Sequence, residues 1–487
     1  MSETHQSYTP DPRRWRVLSV LVVALFMSLI GVSIVNVALP SIQSSLNASQ
    51  SELQWVLSGY ALTFGVGLVL TGRAGDIFGR GPLFIAGVAL FTAASIAAGF
   101  APDPISLNIA RAFQGIGSGL LSPQAVGMIQ LYFRGAERAR AFGVFGAAVG
   151  VSVAVGPLLG GLLIQAAGPE QGWRWTFFVN VPVGIIGIIL ALLWIPKPLL
   201  NRNRDSATAL STTSRDLDPV GAVLLGLAVF AVLLPFVEAE ANALVWISLP
   251  IGMGIVLVWL WWERRYKRLG RSPMVDLAIF RTQSFANGSL LITLYFMGVT
   301  SVWVLVALYM QDGLGHSALE SGLVGLPSSV LSVFAALWGG RNVVRYGRKV
   351  VIGGMYSAIL GLVLSIGVVW LHSAGLASEW WLLPSLSFVG IAQGSVISPN
   401  QALTLAEVPL QYAGSSGGIM QTGQRIGTSV GIAVVTALAF GVLGVSNWAV
   451  AFNMGFVAII VIVSLALIVA YVDLRHRATD GCTQSPK

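Results

Sequence analysis

The sequence predicts an all-α polytopic membrane protein whose fourteen transmembrane helices are arranged as six, an inserted pair and six more. Three observations carry this prediction. Of the 487 residues, 55% are hydrophobic and only 10% are charged, whereas soluble domains have roughly 25% charged residues. The apolar residues fall in runs of about 20, which is long enough to cross a bilayer as a helix. Motifs from the first half of the chain also recur in the second half.

Composition and pattern exclude several other classes of protein. The mean hydropathy of +0.78 is too high for a disordered chain. The single cysteine, Cys482, cannot form a disulfide framework. The apolar runs lack the strict alternation of an outer-membrane barrel. The first run, Val17 to Leu39, has no cleavage site of the signal-peptide type, so we interpret it as the first transmembrane helix.

Fourteen apolar runs define the expected helices. They lie at about 16–40, 53–72, 82–101, 105–130, 139–166, 175–195, 219–237, 243–262, 284–311, 318–340, 349–371, 380–405, 413–441 and 447–472. Two polar, basic connections divide this series. We therefore expect an N-terminal six-helix bundle at 1–195, a cytoplasmic linker at 196–218, an inserted helix pair at 219–262, a second cytoplasmic linker at 263–283, a C-terminal six-helix bundle at 284–472 and a cytoplasmic tail at 473–487.

The charged residues alternate between the two sides of the predicted bundle. Basic connections are marked by Arg14, Arg73, Arg134, Arg202, Arg268, Arg345 and Arg475, and the opposite connections by Glu52, Asp103, Glu170, Glu238, Glu240, Asp312, Glu320 and Glu379. Basic loops face the cytoplasm, so both termini are expected there. The connection around Glu407 is an exception, because it should be cytoplasmic but has no lysine or arginine. This orientation explains the net charge of +8, and no basic patch with interleaved aromatics indicates a nucleic-acid partner.

An internal repeat relates the two halves of the chain. The segment Gly72 to Arg80 corresponds to Gly340 to Arg348, with Gly, Arg, an aromatic residue, Gly and Arg in register. Gly115 to Gly119 corresponds to Gly390 to Gly394, and Ser122 to Ala125 that follows corresponds to Ser398 to Ala402. Parallel repeats of this kind are typical of transporters that bind their substrate between the halves, near the middle of the membrane.

These residues resemble a known family. Gly72 to Arg80 is similar to the G-x-x-x-D-x-x-G-R motif of the major facilitator superfamily, Arg111 to Gly115 to its R-x-x-Q-G motif, and Gly150 to Gly161 to its helix-5 antiporter motif. Asn36 to Pro40 and Trp173 to Pro182 resemble the fourteen-span drug:proton antiporter branch, of the quaternary-ammonium and multidrug efflux type. The resemblance covers nearly the whole chain. It implies the major facilitator fold with 14 transmembrane helices (6 + 2 + 6).

One position departs from the pattern of that branch. Its members usually carry an aspartate in the first helix, five residues before the asparagine that here is Asn36. That position is Gly31 in this chain. The chain therefore lacks the carboxylate that the resemblance implies as the proton site.

Asp76, Arg73 and Arg80 are the predicted gating residues at the cytoplasmic end of the second helix. A carboxylate there can accept hydrogen bonds from the N-terminus of a neighbouring helix and pair with an arginine. The alternative is that these residues only form a tight turn whose charges are solvated and have no gating role. The repeat favours the gate, because it keeps the turn residues but has Val344 in place of Asp76.

Arg111, Gly156 and Pro157 complete the predicted gating and coupling set. A charge within a span costs at least about 2.5–3.5 kcal/mol on insertion scales, so Arg111 should face protein or water rather than lipid. The alternative is that its side chain reaches the membrane surface. Gly156 and Pro157 allow close approach and bending of the fifth helix, either as a leak-tight seam or as ordinary small-residue packing.

A second group of residues is expected to line a substrate cavity. Arg425 is a further cation within a span, and it could bind an anion or hold helix ends together. Polar residues in spans need partners or water, and aromatic residues can stack on a flat ligand, although each alone is more often packing. The predicted cavity residues are Asn36, Tyr60, Gln114, Gln124, Phe296, Trp303, Gln393, Asn400, Gln421, Gln424 and Arg425.

Two transport hypotheses follow. The first is a secondary active exporter of amphipathic drugs or toxic organic compounds, which alternates access between the two sides of the membrane. The resemblance implies that proton antiport drives it and that it confers antibiotic resistance. The second is an exporter of lipids or anionic metabolites, because two arginines and no carboxylate are expected within the spans and anions are attracted strongly in a low dielectric.

An enzyme or a sensor ranks last among the hypotheses. No nucleophile–base pair, metal-ligand cluster or phosphate-binding loop is visible, and the connections are too short for an output domain. We therefore expect no cofactor and no metal. The expected partners are a small amphipathic substrate, protons and membrane lipids, and the expected form is a monomer in a bacterial inner membrane.

Overall fold

The computed structural model describes residues 11–168, 170–196, 217–237 and 243–483. Within these ranges the chain is helical with short connections and contains no β-strand, which confirms the all-α prediction. Most of the predicted linker at 196–218, the acids Glu238 and Glu240 and the last four residues of the tail lie outside the described ranges.

The first half contains a bundle of long helices. They are α1 (Arg14–Leu46), α2 (Gln50–Phe78), α3 (Arg80–Gly99), α4 (Pro104–Tyr132), α5 (Gly135–Ala167), α6 (Gly172–Phe178) and α7 (Asn180–Trp194). The short α6 and α7 together make one candidate span. The inserted pair follows as α8 (Pro219–Val237) and α9 (Ser248–Arg268).

The second half repeats this organisation. Its helices are α10 (Gln283–Leu308), α11 (Ala318–Val324), α12 (Leu326–Tyr346), α13 (Arg348–Ser373), α14 (Leu382–Thr404), α15 (Ala413–Leu443) and α16 (Trp448–Thr483). Helices α11 and α12 form a single span. Several helices continue beyond the predicted ends of the apolar runs, among them α2 to Phe78, α9 to Arg268 and α16 to Thr483, because an apolar run marks only the part of a helix that can lie in hydrocarbon.

Thirteen segments of the described residues are long and apolar enough to cross a membrane. Helix α4 is not among them, although it is 29 residues long, because Arg111 and several glutamines and glycines lower its hydropathy. The count of fourteen spans therefore stays a prediction. A chain with this many spans is a multi-pass membrane protein.

The two halves pack their helices in the same pattern. In the first, α4 contacts α2 and α3, and α1 contacts α5 and α7. In the second, α14 contacts α12 and α13, and α10 contacts α15 and α16. Aromatic side chains such as Phe84, Phe91, Phe285 and Phe456 are fully buried between these helices. Because lipid is as apolar as these side chains, close van der Waals packing holds each half together.

The repeated motif makes the same turn in both halves. Gly79 joins α2 to α3 with φ at +102°, and Gly347 joins α12 to α13 with φ at +54°. Residues with a Cβ atom rarely adopt positive φ, so glycine is needed at both turns.

Both described ends of the chain lie at one end of the molecule, which we call the Asp76 end. Arg14, at the start of α1, pairs with Glu137, at the start of α5, at 2.9 Å. Asp473, near the end of α16, pairs with Arg348, at the start of α13, at 2.6 Å. The opposite end is called the Ser49 end, after the residue that caps α2 there.

Candidate functional site

The carboxylate of Asp76 joins the end of α2 to the beginning of α15. Its Oδ1 accepts a hydrogen bond from the Gly414 N–H at 2.9 Å, and its Oδ2 accepts from the N–H and hydroxyl of Ser415 at 2.9 and 2.8 Å. Arg80 donates to Oδ1 at 2.8 Å. The first N–H groups of a helix have no acceptor within the helix, and the helix dipole favours an anion there. A carboxylate of the first half thus caps a helix of the second.

Arg80 and Gln130 extend this contact between the halves. Arg80 donates to the backbone oxygen of Gly127 at 3.1 Å and to that of Leu410, just before α15, at 2.9 Å. The amide of Gln130, in α4, donates to the backbone oxygen of Ala413 at 3.1 Å. Three helices of the first half therefore hold the start of α15.

Glycines let α2 and α15 touch backbone to backbone at this end. A Cβ atom added to Gly72 would lie 2.5 Å from the backbone oxygen of Gly414, and one added to Gly414 would lie 2.4 Å from that of Gly72. One turn further along α15, a Cβ on Gly418 would lie 2.6 Å from the oxygen of Leu68. Side chains larger than hydrogen would separate the helices.

A second contact of the same kind joins α5 to α12. A Cβ atom on Gly340 would lie 2.7 Å from the Cα of Gly143, and one on Gly143 would lie 2.9 Å from the backbone oxygen of Ala336. Gly340 is the repeat counterpart of Gly72. The two halves are therefore closed against each other along two glycine-lined seams at the Asp76 end.

The halves separate towards the Ser49 end. There a cavity of about 640 Å³ lies between α1, α2 and α15, and the inserted pair lines its side through Phe236 and Trp246. Residues Leu39, Gln43, Gln54, Thr436 and Phe440 also line it. The cavity lies between the two halves, but none of the predicted cavity residues is among the residues that line it.

Arg111 lies inside the first half rather than in the cavity or at the membrane surface. It is 1% exposed and donates to the backbone oxygens of Val56 at 2.8 Å and Gly31 at 3.2 Å, and to the side chain of Gln114 at 2.9 Å. Its guanidinium carbon lies 4.4 Å from the ring centre of Tyr60. Arg111 thus ties α1, α2 and α4 together.

Gly31 contacts the same network. A Cβ atom added there would point between Phe91, at 2.9 Å, and the amide nitrogen of Asn180, at 3.8 Å. That amide nitrogen is buried and has no hydrogen-bond partner among the described residues. The position of the missing aspartate therefore lies beside one buried cation and one unused donor.

Arg425 has a different environment. It is half-buried in α15, and its guanidinium carbon lies 4.2 Å from the ring centre of Phe64 in α2. It forms no hydrogen bond or ion pair with the described residues. A guanidinium keeps its charge in proteins, so Arg425 places an unpaired cation between the halves.

Other predicted cavity residues form hydrogen bonds within one half or between the two halves. Gln421 accepts a hydrogen bond from Ser122 of the other half at 2.7 Å. Gln124 donates to the backbone of Thr71 at 2.6 Å, inside the first half. Asn400 is fully buried in the second half, where it bonds to Arg348 and to the backbone of Gly288. Asn400 therefore lies away from the cavity.

The remaining predicted residues fall into four environments. Tyr60 and Gln114 are buried in the first half, where Tyr60 bonds to Ser118 at 2.6 Å and Gln114 bonds to Ser95 at 2.7 Å. Gly156 packs against Ser33 of α1, and Pro157 lies one residue further along α5. Asn36 is exposed on α1, and the half-buried residues are Phe296, Trp303, Gln393 and Gln424.

A family comparison accords with this arrangement of two repeated halves. The model of the Major Facilitator Superfamily matches residues 21–432. The chain belongs to this superfamily. It is accordingly a membrane transporter and not an enzyme.

Curated relatives are named for antibiotic transport, resistance or export. The chain is 33% identical over 439 residues to the probable actinorhodin transporter of Streptomyces coelicolor, covering 89% of this chain and 74% of that protein. It is 31% identical to puromycin resistance protein pur8 of Streptomyces alboniger, covering 89% and 83%. It is 30% identical to the tetracenomycin C resistance and export protein of Streptomyces glaucescens, covering 90% and 80%.

Solved major facilitator structures share the fold. The proton:xylose symporter XylE superposes with a TM-score of 0.66 at 15% identity, covering 94% of this chain and 95% of that one. The human organic anion transporter MFSD10 gives a TM-score of 0.64 at 14% identity, covering 94% and 100%. At this level of identity the likeness concerns the fold alone.

One pair of buried carboxylates was not predicted from the sequence. Asp218 and Glu263 are both buried where α8 and α9 meet, at the Asp76 end. Asp218 accepts from Gly221 and Trp262 at 2.9 Å, and Glu263 accepts from the Val275 N–H at 3.4 Å. The signal was an acid directly before Pro219, which is a frequent pattern at the start of a helix.

Proposed function

We propose that this protein is a secondary active exporter of amphipathic drugs or toxic organic compounds, which works by alternating access and proton antiport. We place the Asp76 end in the cytoplasm of a bacterial cell, with both termini there, and we propose that the monomer is the working unit. The basic residues of the connections at this end support that orientation.

The proposal rests on one observation: the two halves are in close contact at the Asp76 end and enclose a cavity towards the Ser49 end. The Asp76 end is closed by two seams and a charged cap, whereas a cavity lies between the halves towards the Ser49 end. With the Asp76 end in the cytoplasm, this is an outward-facing state. Rocking the halves would break the Asp76 contacts and open the cavity inward. The relatives named for antibiotic transport or resistance support the class of substrate, and the tetracenomycin C resistance and export protein also supports the direction.

We propose that coupling runs through the Asp76 contact. Loss of this negative charge would remove the anion that the start of α15 and Arg80 both contact. The cap would then weaken and the inward-facing state would gain population. Gly31 supplies no carboxylate for this role.

A second candidate function is export of anionic or lipid-like compounds. The observation that favours it is Arg425, a cation between the halves without an ion-pair partner among the described residues. A cavity that selects cations is better served by a carboxylate, because opposite charges attract strongly where water is scarce.

Transport by the purified full chain in proteoliposomes distinguishes these functions. The panel would pair lipophilic cations with anionic amphiphiles of similar size, each with and without an imposed pH gradient. The proposal expects movement of amphipathic cations that follows the gradient. Movement of anions alone, indifferent to pH, would contradict it and favour the second candidate.

A further inference from the structure

A second pocket lies at the Asp76 end, beside the closed seam. It has a volume of about 660 Å³ and is bounded by the end of α2, the start of α3, the connection after α9 and the residues before α15. Its charged lining residues are Arg73, Arg80, Lys267, Arg271, Asp76 and Asp276. The pocket is thus built from both halves and from the connection that follows the inserted pair.

The charges in this pocket do not balance. Asp76 is paired with Arg80 at 2.8 Å, and Asp276 with Lys267 at 2.6 Å. Both acids of the pocket are therefore paired, and Arg73 and Arg271 have no acidic partner among its lining residues. The pocket therefore carries an excess of two positive charges among its lining residues.

Arg73 is the unusual member of this set. It is 9% exposed, yet its guanidinium makes no hydrogen bond or ion pair with the described residues, and its Nε is buried without an acceptor. A guanidinium offers five N–H donors and cannot lose its charge. An enclosed N–H donor of a charged group is costly to leave without an acceptor, and such donors are normally paired. Its repeat counterpart, Arg341, is exposed to solvent instead.

A phosphate group would supply the negative charge and the hydrogen-bond acceptors that these arginines lack. Its oxygens accept several hydrogen bonds at once, and arginine matches them with two parallel donors. The neighbouring surface of α9 indicates that a membrane lipid is the source of this phosphate. It exposes Leu257 and Trp261 next to Arg264, Arg265 and Arg268, which is the pattern of a helix beside acyl chains and anionic head groups.

We propose that this pocket binds the phosphate group of an anionic phospholipid from the adjacent leaflet, with Arg73 as its main ligand and Arg271 as a second. The bound phosphate would join α2 to the connection after α9 and to the start of α15. It would therefore stabilise the closed Asp76 end. Only this last consequence rests on the proposed function, since binding itself does not depend on transport.

The test is lipid binding by the purified full chain, measured by native mass spectrometry and by thermal unfolding. Phosphatidylglycerol, phosphatidylcholine and inorganic phosphate would be compared. We expect phosphatidylglycerol to bind and raise the unfolding temperature more than phosphatidylcholine does. Each surface cation contributes about fivefold in affinity for an anionic lipid, so Arg73→Gln should weaken phosphatidylglycerol binding by at least about fivefold.

Arg341→Gln is the matched control, because it removes an arginine from the equivalent repeat position outside the pocket. It should leave phosphatidylglycerol binding unchanged. If Arg73→Gln does not fold, the exposed Arg271→Gln replaces it and should still weaken binding severalfold. Equal effects of the pocket and control variants, or equal binding of the two lipids, would overturn the proposal. Tight binding of inorganic phosphate that Arg73→Gln abolishes would overturn the lipid source.

Discussion

Individual polar residues show how far the sequence alone could go. Asp76 was predictable, because its repeat counterpart Val344 shows that the turn does not need an acid. Gln114 and Asn400 were not, because a polar residue within a span can satisfy its hydrogen bonds in a cavity or inside a bundle. The structure places both inside a bundle, bonded to Arg111 and Arg348. Arg348 is remote from Asn400 in sequence, and so is Ser95, the second partner of Gln114, so no local pattern reveals these contacts. Arg111 lies one helical turn from Gln114, but this spacing alone does not show whether the pair faces a cavity or the bundle interior.

The substitution Gly31→Asp tests the missing carboxylate. The new side chain would lie near Arg111 and the unused amide of Asn180, which can both donate to it. We expect efflux of lipophilic cations to rise several-fold over that of Gly31→Ala. The alanine control shares the contact with Phe91, whose cost is about 1–3 kcal/mol for overpacking. Equal cation efflux by the two variants would exclude a coupling role for a carboxylate at this position.

Arg425 allows a prediction about substrate charge. If the second candidate function holds, Arg425→Gln should reduce transport of anionic amphiphiles by about tenfold, because it removes an interaction worth about 1.4 kcal/mol or more. Transport of neutral compounds should change little. The measurement is initial efflux from proteoliposomes, and a uniform loss for all substrates would instead indicate a structural role.

At the scale of helices, the repeat makes two seams but only one cap. Gly72 and Gly340 occupy equivalent positions, and each permits a backbone contact with the other half. The acid is kept only in the first copy, so only α15 receives a carboxylate at its N-terminus. The sequence revealed the repeat and the helices. It did not reveal that the inserted pair lines the cavity, because α8 and α9 carry no motif that indicates where they pack.

The substitution Gly72→Ala should weaken the closed Asp76 end. Its Cβ atom would lie 2.5 Å from the backbone oxygen of Gly414, so the helices must move apart. Overpacking of about 1–3 kcal/mol corresponds to a roughly 5- to 150-fold loss of the closed state relative to the open one. Labelling of single cysteines introduced along the α2–α15 seam would measure the opening.

Gly367→Ala in α13 is the control, because a Cβ atom there meets nothing within 4 Å. It should leave labelling of the seam unchanged. Unaltered labelling in Gly72→Ala would show that the contact at this glycine does not hold the halves together.

The whole molecule consists of two halves that a single charged cap joins at the Asp76 end. Four hydrogen bonds at the Asp76 carboxylate and Arg80, and a fifth from Gln130, join the halves, and the seams on either side exclude larger side chains. An asparagine at position 76 keeps the shape but loses the charge. In the parent, each of the two carboxylate oxygens of Asp76 accepts a backbone N–H. The asparagine amide has only one oxygen that can accept, so one of these N–H groups would lose its acceptor. Hydrogen bonds to a charged group contribute about 1.5–3 kcal/mol each, so the cap should weaken strongly.

The most direct test of this account is the distance between the halves in Asp76→Asn, measured by double electron–electron resonance. Spin labels at Phe78 and Tyr346 would report the Asp76 end, and labels at Ser44 and Ser446 the Ser49 end. Both pairs would be introduced after Cys482→Ser, which removes the single native cysteine. We predict that Asp76→Asn lengthens the first distance and shortens the second relative to the parent. Unchanged distributions at both ends would contradict the claim that Asp76 holds the outward-facing state.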